Sequence, residues 1–453
     1  MDDRQKVSNS SSHTWPPLRL GLAAEISALA SELERTQWWD REKIETQQLS
    51  QFRKLLQFVT KHSPFYGSKF STSGADIEDF ASMTAFRELP LLHRQEIQAA
   101  DENFFCADIP TDQGKVAETQ TSGSTGEPVR IKKTGISQLF IHAFSLRNHD
   151  WAGIPFGSKL TTIRASNKAY VEQSNWGPPF IFLFQTGPAQ VMPITTPLDQ
   201  QIEMLRKFQP EVLLVYPNNL KGLLERWQDH GFDLPRLRHI RTMGETLTED
   251  IKHAVHDLSS EISVTDAYSS EECGAIALQC PETDGYHVMS ESLIVEVLDD
   301  DGKPSMPGKI GRIVITDLQN LASPVIRYDI GDYAQVGEVC HCGRGLFKLD
   351  QILGRQRNLL VKPNGDRHWP LVGFRHFGAI APIRQYQMIQ ESLERISVHF
   401  VTDQPLSDEQ KLALTHLIQQ KLGYKFELDI VDQRQDLPRQ PNGKFEEFIS
   451  RVS

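Results

Sequence analysis

Residues 211–268 read EVLLVYPNNLKGLLERWQDHGFDLPRLRHIRTMGETLTEDIKHAVHDLSSEISVTDAY. The short apolar run Glu211–Tyr216 has the length and β-branched content of a buried strand, and Asn219–Trp227 follows with helical spacing. Leu237–Met243 is a second strand, Thr246 and Glu249 form a capping box for a helix through Leu258, and Ile262–Asp266 is a third strand. Strand-helix-strand alternation of this kind predicts a parallel sheet with right-handed crossovers. Ligands bind such sheets beyond the carboxyl ends of their strands. That rule selects Tyr216-Pro217, Gly244-Glu245 and Tyr268–Glu272 as edges of one crevice.

On the N-terminal side, Phe52, Leu55, Leu56 and Val59 recur at spacings of three and four in an amphipathic helix running from Ile44 until His62-Ser63-Pro64 stops it. Residues 1–18 are polar and serine-rich and read as a flexible lead. On the C-terminal side the pattern shortens after Cys280 to the strands Leu293–Leu298 and Arg312–Thr316, a meander or small barrel. From Gly354 onward a strand at Ile396–Val401, a helix from Ser407 to Leu422 and a strand at Phe426–Val431 compose a small α+β unit. Gln410 completes the helix's capping box and Gly423 is its C-cap. The expected class is therefore α/β: a large domain over 19–353, with parallel-rich sheets, helices and a small β-barrel-like part, and a small α+β domain over 354–453.

The chain has 453 residues and a net charge of −11, with its Lys and Arg dispersed, so a nucleic-acid partner is not expected. No apolar run has the length of a membrane span, and the start lacks the basic-then-apolar order of a signal peptide, so a cytoplasmic protein with no membrane partner is expected. Five cysteines, an odd number, argue against a disulfide framework. Cys280, His287, Cys340 and Cys342 offer three thiolates and an imidazole, a set suited to a closed tetrahedral Zn²⁺ site of structural type, with His341 as an alternative ligand. Cys273 is expected to pack in the core.

The run Thr121-Ser-Gly-Ser-Thr-Gly-Glu-Pro128 opens a strand-like segment, Val129–Lys133. Its glycines permit turns that aim successive N–H groups into one concavity, and its hydroxyls add donors, an arrangement suited to polyphosphate. It is not the P-loop, because no lysine follows Gly126.

Taken with Pro64-Phe65-Tyr66, Leu89-Pro90, Asp266–Gly274, Arg327–Asp332, Gly354-Arg355 and Asn442-Gly443-Lys444, this loop resembles the adenylate-forming superfamily, and within it the phenylacetate-CoA ligase family. The resemblance covers nearly the whole chain from about residue 38. It implies that Thr121, Ser122, Gly123, Ser124, Thr125 and Gly126 embrace the ATP phosphates, and that Gly244, Glu245, Asp266, Ala267, Tyr268 and Ser269 border the nucleotide, with Tyr268 against adenine. Glu272 would hold Mg²⁺, Asp332 would accept from the ribose hydroxyls, Arg355 would donate near the ribose or α-phosphate, and Lys444 would be the adenylation lysine. Two departures from the family pattern sit in the Tyr268–Glu272 motif, Ser269 for glycine and Glu271 for a hydroxyl residue. Two more sit at the pivot of a small domain that relatives move between reaction steps, Arg357 and Asn358. Phe140, Phe144 and Tyr216 are acyl-pocket candidates, as are Trp151, Trp176, Phe180 and Phe184.

The implied reaction joins an aryl or hydrophobic carboxylate to AMP and passes the acyl group to a thiol. CoA is the expected acceptor; a carrier-protein phosphopantetheine or an amine is the alternative, and a homodimer is left open. A reading of another class is a non-catalytic nucleotide or acyl-adenylate binding protein.

Overall fold

The computed structural model describes residues 18–71, 82–120, 128–231, 233–355, 358–370, 377–438 and 445–452. The chain divides into two compact units. The first comprises Met1–Leu160, Val171–Gln190 and Thr265–Ile352, and the second Thr161–Tyr170, Val191–Val264 and Leu353–Ser453.

In the first unit the expected amphipathic helix spans Arg41–His62, and Asp40 caps it by accepting the Lys43 N–H at 2.7 Å. Phe52, Leu55, Leu56 and Val59 are all buried in its core. Each such side chain removed from water stabilises the fold by about 1.5–3 kcal/mol. Tyr66 lies in the same core and donates its OH to the Pro324 carbonyl at 2.8 Å, so the Pro-Phe-Tyr motif serves packing. The β segments beyond Cys280 are antiparallel neighbours. Leu293–Leu298 pairs with Ile310–Asp317, which pairs in turn with Tyr328–Val336. Gly274–Gln279 pairs with Ser263–Ser270 on one side and with Tyr286–Val288 on the other.

In the second unit Val212–Val215 and His239–Met243 pair in parallel, in register from Val212↔His239 to Val215↔Thr242. Helix Pro217–His230 connects them and begins earlier than expected, with proline in its first turn, where a missing N–H costs no helical bond. The next helix, Glu249–Leu258, corrects the capping expectation. Its N-cap is Thr248, whose carbonyl accepts the N–H groups of Ile251 and Lys252, and no side-chain cap bond forms. Thr246 lies elsewhere, against Gly354, where an added Cβ would come within 3.1 Å of its Oγ1. The core here gathers Leu213, Leu220, Leu224, Trp227, Ile240 and Val255.

The C-terminal part of this unit is a four-stranded sheet in the order Glu427–Gln433, Arg395–Thr402, Ile383–Gln390, Phe448–Ser450. Helix Asp408–Leu422 packs Leu414, Ile418 and Leu422 into its core. Both capping-box bonds form between Ser407 and Gln410, at 3.2 and 3.0 Å, and Gly423 ends the helix in the left-handed conformation expected of it. Among the described residues no helix is long and apolar enough to cross a membrane.

Candidate active site

Strand Ser263–Ser270 runs past the expected end at Asp266 and turns tightly into Gly274–Gln279. The Ser270 hydroxyl accepts the Cys273 N–H at 3.1 Å, and Gly274 takes φ +73°, a conformation that a β-carbon disfavours. Within this turn Glu271 is exposed and Glu272 is buried. The carboxylate at the departure position therefore faces water.

A register shift between Tyr268 and Ser269 marks a bulge, the kind of feature that re-aims a side chain. The Tyr268 OH donates to Asp332 Oδ2 at 2.7 Å, so two residues assigned to the nucleotide meet across 64 positions of sequence. Asp332 lies on strand Tyr328–Val336 just after Gly331, which is held at φ +80° and donates its N–H to Asp329. Asp266 serves the hairpin itself. Its carboxylate accepts the Tyr286 OH at 2.9 Å, and its N–H donates to Gln279 at 2.8 Å. Ala267 packs against the small cluster around Phe144 and Leu278.

Arg94 is the residue that sequence reasoning missed. Its guanidinium lies 3.6 Å from the Glu272 carboxylate, with both side chains largely buried. Arg94 opens the short helix Arg94–Ala100, and the segment before that helix is pinned by Arg327. Buried Arg327 pairs with Glu296 at 2.9 Å and donates to the carbonyls of Arg87 and Leu89. The backbone of Leu92 meanwhile bonds Arg327 O and Asp329 N, both at 2.9 Å. Burial raises the Glu296 carboxyl above its ordinary range, and Arg327 opposes that rise. The arginine of the Arg327–Asp332 motif is thus structural, fixing the segment that presents Arg94 to Glu272.

Beside Glu272 a pocket is lined by Lys133, Ser137, Phe140, Phe144, Asp317 and Asn320, among others. Phe140 and Phe144, one helical turn apart on Gly135–Trp151, supply its apolar wall. Burial raises Asp317 to about 6, against the opposing influence of the Gln319 amide and Lys133. Burial also lifts the Cys273 thiol well above its usual value, and the residue packs against core, as expected. Tyr216 belongs to the second unit, where it is buried and its hydroxyl accepts the Ala165 N–H at 3.3 Å. Trp176, Phe180 and Phe184 pack around Phe156, and Trp151 lies against His287.

In the second unit Gly244 takes φ +78° at the end of its strand. Glu245 accepts two backbone N–H groups, from Asn218 at 3.0 Å and from Phe445 at 3.1 Å. The Arg355 N–H donates to Asn358 Oδ1 at 3.2 Å, and the Asn358 amide donates to Phe448 O at 2.6 Å. Asn358 thus bonds backbone on both sides. The loop positions Thr121, Ser122, Gly123, Ser124, Thr125 and Gly126, together with Arg357 and Lys444, lie outside the described residues.

Cys280, His287, Cys340 and Cys342 come together as expected, all buried, with their ligand atoms within 4.8 Å of one another. The Cys280 and Cys340 sulfurs are 3.9 Å apart. A tetrahedron with Zn–S bonds of ~2.3 Å has edges of about 3.8 Å. Burial pushes His287 down to about 4, leaving a neutral imidazole able to ligate, and Arg344 and Lys348 add positive charge nearby.

The chain shares its fold with CoA ligases of known structure. The relatives it resembles among curated proteins are phenylacetate-coenzyme A ligases. The enzyme of Thermus thermophilus is 26% identical over 335 residues, covering 71% of this chain and 72% of the relative. That of Escherichia coli is 26% identical over 345 residues, covering 70% and 74%. Among solved structures, 2-hydroxyisobutyryl-CoA ligase in complex with 2-HIB-AMP in the postadenylation state shares the fold. Its TM-score is 0.71 at 16% identity, covering 91% of this chain and 90% of that one. Residues 374–451 match the CapK C-terminal domain model.

Proposed function

We propose that the chain is an AMP-forming acid–thiol ligase. A carboxylate oxygen attacks the α-phosphorus of ATP and pyrophosphate leaves; a thiol sulfur then attacks the acyl carbon, losing its proton, and AMP leaves. The observation that carries this reading is the Tyr268–Asp332 bond beside a motif whose Glu272 is buried and whose Glu271 is not. An aspartate carboxylate offers two acceptor oxygens, which suits a vicinal diol. The relatedness to phenylacetate-CoA ligases supports the same chemistry and makes CoA the acceptor of choice.

Glu272 would supply a hard carboxylate oxygen to magnesium, with the Arg94 guanidinium 3.6 Å away. The ion would offset phosphate charge. Phe140 and Phe144 would supply the apolar side of a site for an aromatic or other hydrophobic acid. Lys444 would bridge carboxylate and α-phosphate oxygens as charge shifts between them. Residues 354–453 would carry that lysine as a smaller domain, and the Cys/His set would hold a structural zinc ion with no open position for chemistry.

The test is carboxylate-dependent exchange of labelled pyrophosphate into ATP across a panel of acids. Exchange with aromatic or aliphatic hydrophobic acids is the expected result. Silence across the panel would return the chain to a binding role.

A further inference from the structure

The pocket beside Glu272 is apolar on one side only. Phe140 and Phe144 form that side, while Lys133, Asp317 and Asn320 line a polar end, and all five belong to the first unit. Two hydrogen bonds hold the polar end together. The Asn320 side-chain amide donates to the Lys132 carbonyl at 2.9 Å, and the Lys132 N–H donates to the Ser323 hydroxyl at 2.7 Å. They tie the segment that follows strand Ile310–Asp317 to strand Arg130–Lys133, so the last residue of each strand, Asp317 and Lys133, lines the same cavity.

Asp317 is 6% exposed. Its Oδ1 accepts the Gln319 N–H at 2.9 Å and the Asn320 N–H at 3.3 Å, whereas Oδ2 accepts no hydrogen bond among the described residues. Half-buried Lys133 likewise forms no ion pair or hydrogen bond with a described residue, although it is close enough to draw the Asp317 carboxyl down against the rise that burial causes. A carboxylate and an ammonium that stand near one another unpaired, mostly out of water, leave room for a third group between them. The enclosed space is about 20 Å³, and a water molecule needs roughly 10–15 Å³ on the same measure. It takes one small polar group and no ring.

We propose that this end of the pocket selects an acid bearing a hydroxyl group remote from its reacting carboxylate, the hydroxyl donating to Asp317 Oδ2 and accepting from the Lys133 ammonium while the hydrocarbon lies against Phe140 and Phe144. The proposal rests on the ligase reading above and narrows its substrate class. A hydroxyl both donates and accepts. A methyl group would leave both partners unpaired, a methoxy oxygen would accept without donating, a carboxylate would face Asp317 and an ammonium would face Lys133. A site built to bond a substrate hydroxyl rejects the analogue that lacks it far more strongly than an apolar pocket rejects an added hydroxyl.

The experiment measures pyrophosphate exchange by the full-length chain at pH about 8 with matched acids: 3- and 4-hydroxyphenylacetate against phenylacetate and 4-methoxyphenylacetate, and 6-hydroxyhexanoate against hexanoate. For at least one pair kcat/KM should favour the hydroxylated acid by about 30-fold or more, with the methoxy acid no better than the unsubstituted one. Lys133→Met and Asp317→Asn should each bring that ratio to within about three-fold, by loss on the hydroxylated acid alone, and ATP KM should stay within about two-fold. Two variants keep the test open should one not fold. Equal use of both members of every pair would overturn the proposal. So would an equal fall on both members in the variants, or a rise in ATP KM at an unchanged ratio, which would assign Lys133 to phosphate. If the wild-type chain gives no exchange with any acid, the ligase reading fails, and titration calorimetry of the same pairs decides the pocket: binding of a hydroxylated acid about ten-fold tighter than its partner, lost in both variants, supports the hydroxyl site, and equal or absent binding overturns it.

Discussion

Arg327→Lys tests whether the first residue of the Arg327–Asp332 motif shapes the site or touches the nucleotide. Arg327 is buried; its Nε and Nη2 reach Glu296 at 2.9 and 3.2 Å, and Nη1 donates to the carbonyls of Arg87 and Leu89. Lysine keeps the charge but cannot span a carboxylate and two carbonyls from one ammonium. Leaving buried acceptors unpaired costs about 1–3 kcal/mol each, so a total of about 3 kcal/mol is expected. The first unit has roughly 270 residues, and at about 2.1 cal/mol/K per residue its unfolding entropy is about 0.57 kcal/mol/K. The unit's melting transition should therefore fall by about 5 °C in scanning calorimetry of the full chain. A melting point within about 1 °C of wild type, combined with a large rise in ATP KM, would refute the structural assignment.

Tyr268→Phe removes the donor that Asp332 accepts at 2.7 Å; ATP KM should rise about three- to ten-fold with kcat nearly constant, and an unchanged KM would detach this pair from the nucleotide. Cys340→Ser opens the Cys/His set; wild type should carry about one zinc ion per chain by elemental analysis and the variant about none, with a lower melting point, whereas metal-free wild type from zinc-replete culture would refute the site. Asp317 has a folded value of about 6 against 3.8 for the ordinary group. The native state thus keeps a proton that the unfolded chain loses, and stability declines as pH rises through that window, by about 3 kcal/mol in all. Asp317→Asn, whose Oδ1 can still accept the Gln319 and Asn320 amides, should gain more in melting temperature over wild type at about pH 7.5 than at about pH 4.5. An equal difference at both values would contradict the assignment.

What the sequence disclosed follows the range of the forces involved. The Val212–Val215 and His239–Met243 strands and the Ser407–Gln410 box were legible because hydrophobic period and capping act within a few residues. The helix after Met243 was read with its cap two residues early, at Thr246 rather than Thr248. The Thr-x-x-Glu spacing fits a box, but Thr246 lies beside Gly354, more than 100 residues away, and Thr248 takes the N-cap. Arg94 was illegible for the same reason. Its partner Glu272 is brought to it by Arg327 and by the pairing of Leu92 with the start of strand Tyr328–Val336, neither of which leaves a local pattern. The Cys/His set was recoverable from residue type alone, since three thiols and an imidazole suggest a metal before any distance is known. Glu245 was placed at the right strand end by the rule for parallel sheets, while its two bonds to Asn218 and Phe445 required the folded chain.

In the proposed reaction the acyl group is carried on AMP before it reaches the thiol. It is tested most directly by supplying an acid labelled with oxygen-18 in its carboxylate, together with ATP, magnesium and CoA, and weighing the products. One labelled oxygen is expected in the released AMP, abolished by Lys444→Ala. Unlabelled AMP, or label in inorganic phosphate with ADP as the nucleotide product, would contradict it.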